Sequence, residues 1–323
     1  MFLQYEHMRN FYQLKYNLQE YINLDWVATE KIHGTNYSFL CDNKLSVIPC
    51  KRTSILDYNS DFMNHQKVFD KYKNDVIDIY KIIEKEENKN NNKLLQIQLY
   101  GELFGGLYDQ KTSKDSIVIQ KKMNYCLEND FMAYDLKITS LSKGSYYYDY
   151  DKLTDLFNNL ESIKLVPTIM TGNINDILKL NPAKFESKVY SYYNLYKIEN
   201  NFAEGLVIKP IKEKVNKYGD RIIFKIKNPD FSEIQKTAIE KPQANGRNNY
   251  ISIIKKYITE NRYNNVKSKI SSLDINVNLN ELFYKDVLQD FIEDYSNGIS
   301  EKELEECKNI LYKINIKKMF DDK

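Results

Sequence analysis

The chain has 323 residues, which is enough for two domains, and its 42% of hydrophobic residues can form a sizeable core. Lysine and arginine together number 47 against 45 aspartate and glutamate residues, so the formal net charge is only +2. This balance excludes a basic field over the whole protein that would by itself indicate nucleic-acid binding, and any basic groove must be local.

The first part of the chain combines strand-length apolar runs with one long amphipathic segment. The runs at residues 26–28, 37–40 and 45–48 have the length of strands. Between residues 61 and 87 apolar residues recur at steps of three and four, which predicts a helix. The polar sequence EKEENKNNNK at residues 84–93 is interpreted as an exposed loop that ends this helix.

The middle of the chain predicts a mixture of strands and short helices. Strands are expected at residues 94–100, 116–119, 131–138, 205–211 and 221–226. Helical spacing covers residues 151–160 and 174–180. The prediction for this part is therefore a mixed α+β domain with mostly antiparallel strands separated by turns.

The last part of the chain has a helical pattern throughout. Residues 249–262 and 280–296 have helical spacing, and Ser300-Glu-Lys-Glu303 is a capping-box sequence. Apolar residues that continue the helix after the box are Leu304, Cys307, Leu311 and Ile314. We place a domain boundary near residues 236–248, between a first domain of residues 1–240 and an all-helical domain of residues 241–323.

Cysteine spacing and the N-terminus restrict the class of protein further. The cysteines, none of which form a Cys-x-x-Cys pair, are Cys41, Cys50, Cys126 and Cys307. Free thiols in a reducing compartment are the expectation, rather than zinc ligands or disulfides. The N-terminal sequence MFLQYEHMRN does not resemble a signal peptide, and no run of 18 apolar residues exists. We expect a cytoplasmic protein, encoded by a virus or by a cell.

The most informative motif is EKIHGTN at residues 30–36. Lys31 stands three residues before Gly34, with apolar residues on both sides, which predicts a strand, a tight turn and a second strand. A lysine at the mouth of such a turn can be a nucleophile once its neighbours favour the neutral amine. The motif alone is weak, because a lysine near a glycine is common by chance.

Five further segments supply the groups that a nucleotidyl transfer needs. They read CKRT at residues 50–53, YGELFGG at 100–106, DFMAYD at 130–135, EGLVIKP at 204–210 and FKIKNPDF at 224–231. Together with Lys31 they offer an amine, an aromatic ring for a base, carboxylates for ribose or metal, and cations for phosphate charge.

Each segment also has an ordinary structural interpretation. Lys225 and Lys227, on one strand face because side chains alternate, could simply lie on a solvated surface. The glycines beside Glu102 could build a turn, Phe131 could belong to the core, and Lys209 could close a strand. Because all these segments occur together and in this order, a shared functional site is the preferred interpretation.

The ordered motifs resemble those of the covalent nucleotidyltransferases, the superfamily of ATP-dependent ligases and mRNA capping enzymes. EKIHGTN, CKRTS, YGELFGG, FMAYDL, EGLVIKP and FKIKNPDFSE are most similar to the RNA ligase 2 type, and the resemblance covers residues 26–234. It implies an α+β fold, in which an ATP-grasp-like nucleotidyltransferase domain with antiparallel sheets precedes a smaller all-helical C-terminal domain.

The resemblance implies an ATP-dependent RNA ligase. Lys31 would attack the α-phosphorus of ATP and hold AMP, which would pass to an RNA 5′-phosphate before a 3′-OH displaces it. The implied cofactors are ATP and Mg²⁺ or Mn²⁺, and the implied partner is RNA, with nicks in a duplex as the preferred substrate. A monomer is expected.

The resemblance also assigns roles to individual residues. The catalytic set would be Lys31, Lys209, Lys225 and Lys227. The cofactor-binding set would be Glu30, Ile32, His33, Asn36, Arg52, Glu102, Phe131, Glu204, Lys209, Lys225 and Lys227. Glu102 would hold the ribose hydroxyls, Glu204 would place the metal ion, and Lys51 would contact the RNA backbone. Thr29 departs from the family, which often has a basic residue there.

Two aromatic residues of DFMAYD are candidates for stacking on adenine. Strict alternation places Phe131, Ala133 and Asp135 on one face of the strand and Met132 and Tyr134 on the other. Phe131 is the predicted stacking residue, and Tyr134 is the alternative.

Three other functions remain as alternatives. A DNA ligase or a capping enzyme would follow the first domain with an OB-fold, which the helical spacing after residue 249 disfavours. An inactive RNA-binding protein would not need every reactive side chain. A partner-binding role of the helical domain could exist beside the enzymatic one.

Overall fold

A computed structural model gives the structure of residues 1–14, 16–160, 162–231, 250–267, 278–295 and 299–321. The chain divides into two compact units, Met1–Lys227 and Asn228–Lys323. The predicted domain boundary near residues 236–248 lies outside the described residues. Each unit is described by itself. No helix in the described part of the chain is long and apolar enough to cross a membrane.

The strands of the first unit form two sheets. In chain order the strands are β1 (Arg9–Asn10), β2 (Trp26–Lys31), β3 (Thr35–Asp42), β4 (Val47–Lys51), β5 (Leu94–Leu107), β6 (Cys126–Ser140), β7 (Gly144–Tyr147), β8 (Lys164–Leu165), β9 (Thr168–Gly172), β10 (Gly205–Pro210) and β11 (Phe224–Lys227). The first sheet has the order β1-β11-β10-β2-β9, and the second has the order β4-β3-β5-β6-β7 with β8 beside β6. Neighbouring strands are antiparallel, as predicted, except for β1 with β11 and β8 with β6.

Helices complete both units. In chain order they are α1 (His65–Lys89), α2 (Tyr150–Asn158), α3 (Ile174–Ile177), α4 (Tyr250–Lys255), α5 (Glu260–Lys267), α6 (Leu279–Tyr295), α7 (Glu301–Leu311) and α8 (Ile316–Phe320). The mixed α+β first unit and the helical character of the described second unit agree with the predicted fold class.

The first sheet has one face in a hydrophobic core and one face toward the site. Trp26, Ala28 and Phe224 belong to the core cluster on one side of this sheet. Because side chains alternate along a strand, Thr29 and Lys31 lie on the opposite face. The first five residues of β2 are buried, and the alternation of side chains directs Lys31, its last residue, away from this core.

Helix α1 covers the core face of the second sheet and is longer at its C-terminal end than predicted. It begins at His65 and continues to Lys89, so the interpretation of residues 84–93 as a loop is wrong for its first six residues. Glu87 explains the extension, because this buried carboxylate accepts hydrogen bonds from Lys143 Nζ (2.9 Å) and Tyr146 Oη (2.8 Å). These distant partners stabilise a helical turn that its local sequence would not favour.

Strand β6 contains an irregularity that changes which residues share a face. Tyr100 pairs with Asp135, whereas the next residue of β5, Gly101, pairs with Ala133. The extra residue in β6 is a bulge, which breaks the alternation of side chains. Phe131 and Ala133 face the core, but Asp135 does not, so the prediction that Asp135 shares their face is wrong.

The strand predicted at residues 116–119 is absent from the structure, although these residues are described. This segment is extended but irregular, and Asn129 holds it by its side chain. Asn129 Oδ1 accepts from the amide of Ile117 (2.9 Å), and Asn129 Nδ2 donates to the carbonyl of Ile117 (2.7 Å). A side-chain amide thus satisfies the backbone groups that a neighbouring strand would otherwise pair.

The second unit has its own core of side chains from α4 to α8. The predicted helix at residues 249–262 is two helices, α4 and α5, and residue 249 lies outside the described residues. The predicted capping box is confirmed, because Ser300 N donates to Glu303 Oε2 (2.9 Å) and Glu303 N donates to Ser300 Oγ (3.3 Å). Helix α7 ends at Leu311, three residues before the predicted Ile314.

Candidate active site

Lys31 is the last residue of β2, and the turn that follows it rests on β5. A Cβ atom on Gly34 would lie 2.3 Å from the carbonyl oxygen of Leu103, so only glycine allows the turn to approach so closely. The amide of Gly34 donates to Glu102 Oε1 (3.1 Å), and the amide of His33 donates to Tyr125 Oη (2.8 Å). The EKIHGTN turn is therefore fixed against the strand that carries Glu102.

Glu204 is the centre of the site. Lys31 pairs with Gly205 across β2 and β10, which brings Glu204 beside the lysine. Lys31 Nζ donates to Glu204 Oε2 (2.7 Å), and His33 Nδ1 lies 3.4 Å from the same oxygen. Lys227 Nζ lies 3.6 Å from Glu204 Oε1. Burial would raise the pKa of Glu204, but Lys31 and His33 hold that pKa well below its usual range.

The two lysines of β11 lie on the face of the first sheet that carries Lys31. Lys225 pairs with Val207 and Lys227 pairs with Gly205, so alternation places both lysines on the site face of the sheet. The prediction that the two lysines share one face is confirmed. Lys227 contacts Glu204 directly, whereas Lys225 lies two residues farther along the strand.

Glu102 faces the same space from the second sheet. Its pKa is raised to about 7 by burial, an effect that nearby Lys31 partly offsets. Asn36 lies directly opposite Glu102 in the pairing of β3 and β5. The Arg52 charge is close enough to act on the carboxyl of Glu102 as well. Three of the predicted nucleotide-binding residues therefore surround one position next to Lys31.

The ring predicted to stack on adenine does not lie in this space. Phe131 is fully buried in the core, 5.1 Å from the ring centroid of Phe39 and 6.4 Å from that of Tyr72. Its edge lies over Gly101, where a Cβ atom would be 2.3 Å from the ring. In this structure Phe131 therefore belongs to the core, and its position does not support its predicted stacking on adenine, which stays a prediction.

Tyr134, the alternative, lies on the site side of β6. Its hydroxyl accepts a hydrogen bond from Asn36 Nδ2, and its ring is 5.1 Å from that of Tyr5. The side chain is partly exposed, and the charges of Glu102 and Arg52 both act on its hydroxyl. Tyr134 thus lies, partly exposed, beside Asn36, Glu102 and Arg52.

Lys209 lies in a buried ion cluster instead of an open phosphate site. Its ammonium bonds to Asp135 and lies 3.3 Å from Glu213 Oε1, and the residue is only 3% exposed. Arg221 donates to both oxygens of Asp135 (2.8 and 2.9 Å), and Tyr5 Oη donates to Asp135 Oδ2 (2.5 Å). In this structure the ammonium of Lys209 is enclosed by carboxylates, and its predicted contact with phosphate stays a prediction.

Sequence reasoning did not assign a role to Asp135, Glu213, Arg221 or Tyr5. Burial would raise the pKa of Asp135, but Arg221 and Lys209 hold it well below its usual range. The sequence offered one signal, the charged residues Glu213 and Arg221 between two apolar strands. Because this hairpin also contains several lysines, these two residues look like ordinary surface charges in the sequence.

Glu30 and Ile32, which flank the nucleophile, point away from it. Ile32 is 3% exposed and belongs to the protein interior. Glu30 Oε2 accepts from the amide of Lys188 (2.9 Å), and burial raises the pKa of Glu30 to about 7. The side chains of Glu30 and Ile32 support the strand, while only their backbone groups border the site face.

Lys51 is the residue predicted to contact RNA. Its Nζ lies 5.9 Å from the ring centroid of Phe62, and the residue is half-buried.

The donor groups of the site are compatible with a divalent cation bound together with phosphate. Mg²⁺ is typically held by one or two carboxylates and by substrate oxygens. Glu204 and Glu102 are the carboxylates next to Lys31, and the described residues contain no cluster of three or more metal-ligating side chains. Glu204 is therefore the residue that fits the predicted metal role, with phosphate oxygens completing the ligand set.

The side chains around Lys31 are those of a class of protein that transfers a nucleotidyl group through a lysine. They are an amine beside a buried carboxylate, two further lysines and a partly exposed aromatic ring.

Comparisons with known proteins identify the family. A profile of the RNA ligase family matches residues 24–227, and a profile of the T4 RNA ligase 2 C-terminal domain matches residues 242–319. The chain belongs to the RNA ligase family.

Individual relatives are distant. The mitochondrial RNA-editing ligase 2 of Trypanosoma brucei brucei is 24% identical over 85% of this chain and 78% of its own length. RNA-editing ligase 1 of the same organism is 23% identical over 65% of this chain and 50% of its own length. The solved structure of Naegleria gruberi RNA ligase with PPi has a TM-score of 0.47 and 16% identity, covering 71% of this chain and 57% of the Naegleria chain.

Proposed function

We propose that this member of the RNA ligase family joins an RNA 5′-phosphate to a 3′-OH in an ATP-dependent reaction that passes through AMP bound to Lys31. The observation that carries the proposal is the contact of Lys31 Nζ with the buried Glu204 (2.7 Å), with Lys227 on the other oxygen of that carboxylate (3.6 Å). A carboxylate held between two lysines fixes both cations at the place where phosphate charge would develop.

The residues divide the work of the first step. Glu204 orients the amine of Lys31, which forms a bond to the α-phosphorus of ATP while the bond to pyrophosphate breaks. Lys225 and Lys227 stabilise the charge on the phosphate oxygens. Glu102, opposite Asn36, accepts hydrogen bonds from the ribose hydroxyls, and Tyr134 stacks on the base.

Two later steps complete the reaction. The RNA 5′-phosphate displaces Lys31 from the AMP phosphorus, which regenerates the free amine. A 3′-OH then attacks the RNA 5′-phosphorus, a phosphodiester bond forms and AMP leaves. Magnesium or manganese at Glu204 would supply positive charge to the phosphates when bound.

The test of the proposal is formation of the protein–AMP adduct. We expect Lys31→Ala to abolish covalent labelling by [α-³²P]ATP, and Lys44→Ala, an exposed lysine in the turn between β3 and β4, to leave it unchanged. Label that persists in Lys31→Ala and resists denaturation would show that another residue is the nucleophile.

Nicked duplex RNA is the proposed substrate, and the protein is expected to act as a monomer. The helical second unit supports an RNA ligase over the DNA ligases and capping enzymes, because in its described residues every regular element is a helix or a helical turn. The adenylylated protein should be given nicked RNA, nicked DNA and single-stranded RNA in parallel. Preferential sealing of nicked DNA would favour the DNA ligase alternative.

A further inference from the structure

Outside the site, one surface feature combines exposed apolar side chains with unpaired positive charge. It is the hairpin of residues 211–223, which connects β10 to β11 and which we name the 211–223 hairpin. At its tip Val215 is 61% exposed and Tyr218 is 71% exposed. These two side chains are accessible to a binding partner.

The tip of the hairpin is held rigidly. The buried side chain of Asn216 accepts from the amides of Tyr218 (2.9 Å) and Asp220 (3.0 Å), and its Nδ2 donates to Asp220 Oδ2 (3.2 Å). Gly219 has a φ of +85°, which a glycine adopts without strain. The turn therefore fixes the backbone of Tyr218, so that little backbone entropy is lost when this residue binds a partner.

The base of the hairpin is anchored in the ion cluster behind the active site. Val215 forms a bridge with Arg221, and the amide of Ile222 donates to the carbonyl of Lys214 (2.9 Å). Arg221 Nε in turn donates to Glu213 Oε2 (2.7 Å), next to Lys209. The hairpin thus connects β10, which carries Lys209, to β11, which carries Lys225 and Lys227. All three lysines belong to the predicted site.

The charge of the tip is complementary to a polyanion. Lys214 and Lys217 are exposed, and neither forms an ion pair with a carboxylate of the described residues. Lys217 Nζ lies 5.2 Å from the ring centroid of Tyr218. Lys212, by contrast, is paired with Asp151 (2.6 Å) and serves the base of the hairpin. At the tip, Lys217 beside the ring and the exposed Lys214 outnumber the carboxylate of Asp220. An aromatic ring next to cations is an arrangement that binds single-stranded nucleic acid by stacking and phosphate contacts.

We propose that the 211–223 hairpin is a second contact for the RNA, in which Tyr218 stacks on an unpaired base that flanks the nicked duplex and Lys214 and Lys217 bind the adjacent phosphates. The proposal rests on RNA being the substrate of the proposed function. Lys31 pairs with Gly205 at the start of β10, and the hairpin follows Pro210 at the other end of this strand. A contact at the hairpin would therefore serve binding, while the chemistry remains at Lys31.

The experiment measures RNA binding and sealing with the full chain. The probe is a nicked RNA duplex with arms of about 20 base pairs that continue into single-stranded tails, which supply the unpaired bases that stacking requires. We expect Tyr218→Ala to weaken binding by at least about fivefold and Tyr218→Phe to retain it, since stacking needs only the ring. We expect Lys214→Ala/Lys217→Ala to reduce the slope of log K against log salt by about 1.5.

Two controls separate this proposal from the proposed function. Tyr196→Ala, a 59% exposed tyrosine outside the hairpin, should leave RNA binding unchanged. Labelling by ATP should be the same in all these variants, because none alters the residues around Lys31. Tyr218→Ala that binds RNA within twofold of the unaltered protein would overturn the hairpin proposal and leave the function intact. An unaltered protein that neither is labelled by ATP nor seals RNA would overturn the function itself.

Discussion

At the scale of single residues, Glu102 combines a functional position with a cost in stability. It is a carboxyl beside Glu204, and burial raises its pKa to about 7. In the unfolded chain a glutamate ionises near its ordinary pKa of about 4.3. The folded protein therefore binds one proton more than the unfolded protein between these values, so stability falls as pH rises from about 4.3 through 7.

This linkage predicts opposite effects of Glu102→Gln on stability and activity. The free energy of unfolding of the variant, minus that of the unaltered protein, should rise by about 2–3 kcal/mol between pH 4.5 and pH 8. The reason is that the amide does not ionise, whereas Glu102 does. Urea unfolding at both pH values measures this. Adenylylation should become about 10- to 100-fold slower, since a charge-assisted hydrogen bond to the ribose is lost. A variant with unchanged labelling would show that Glu102 does not hold the nucleotide.

The two aromatic residues of β6 give a matched pair of predictions. Tyr134→Ala should raise the KM for ATP about 5- to 100-fold through lost stacking, with little change in stability. Phe131→Ala should lower the free energy of unfolding by about 3–5 kcal/mol through the cavity it leaves. Phe131→Leu, a milder change, should fold and keep its KM for ATP. A raised KM in Phe131→Leu together with a normal KM in Tyr134→Ala would restore Phe131 as the stacking ring.

At the scale of elements, the bulge in β6 and the ion cluster depend on each other. The bulge turns Asp135 away from the core and toward Lys209 of β10 and Arg221 before β11. Asp135 also accepts from Tyr5, in a segment whose β1 pairs with β11. One buried carboxylate thus connects the two sheets between which the site lies.

The cluster should be sensitive to loss of one partner. Asp135→Asn leaves Lys209 and Arg221 with Glu213 alone, and breaking a buried ion pair in this way costs about 3–5 kcal/mol. Asp78→Asn, which removes an exposed ion pair with Lys81 (3.1 Å) on α1, should cost less than about 1 kcal/mol. Chemical unfolding followed by circular dichroism compares the two. Equal, small effects would mean that the cluster does not hold the sheets.

At the scale of the whole molecule, the residues proposed for adenylylation all lie in the unit Met1–Lys227. The second unit, Asn228–Lys323, has a separate hydrophobic core. Two modules that bind the same RNA gain affinity from their linkage, and this gain is lost when they are separated. The helical unit is therefore expected to contribute to sealing rather than to formation of the protein–AMP adduct.

Truncation tests this division of labour. A fragment of residues 1–240 should retain labelling by ATP, while its affinity for nicked RNA should fall by about a hundredfold. Circular dichroism establishes whether the fragment is folded, and labelling establishes whether its site is intact. A folded fragment that is not labelled would show that the second unit contributes to the first step, against the predicted domain boundary.

The sequence by itself determined the features that depend on local order. The strand and turn around Lys31, the shared face of Lys225 and Lys227, and the capping box at Ser300 follow from spacing over a few residues, because alternation and capping are local properties. The RNA ligase family also followed from motifs in order.

Only the tertiary structure decided which side chains face the site. The bulge that separates Asp135 from Phe131 depends on pairing with a strand about thirty residues earlier, and no spacing within β6 reveals it. Phe131 lies over Gly101 and Tyr134 beside Asn36 for the same reason. Lys209 is enclosed by Asp135, Glu213 and Arg221, which meet through long-range contacts between the two sheets. A side chain's surroundings are set by distant segments, whereas its direction along an unbroken strand is set by its neighbours.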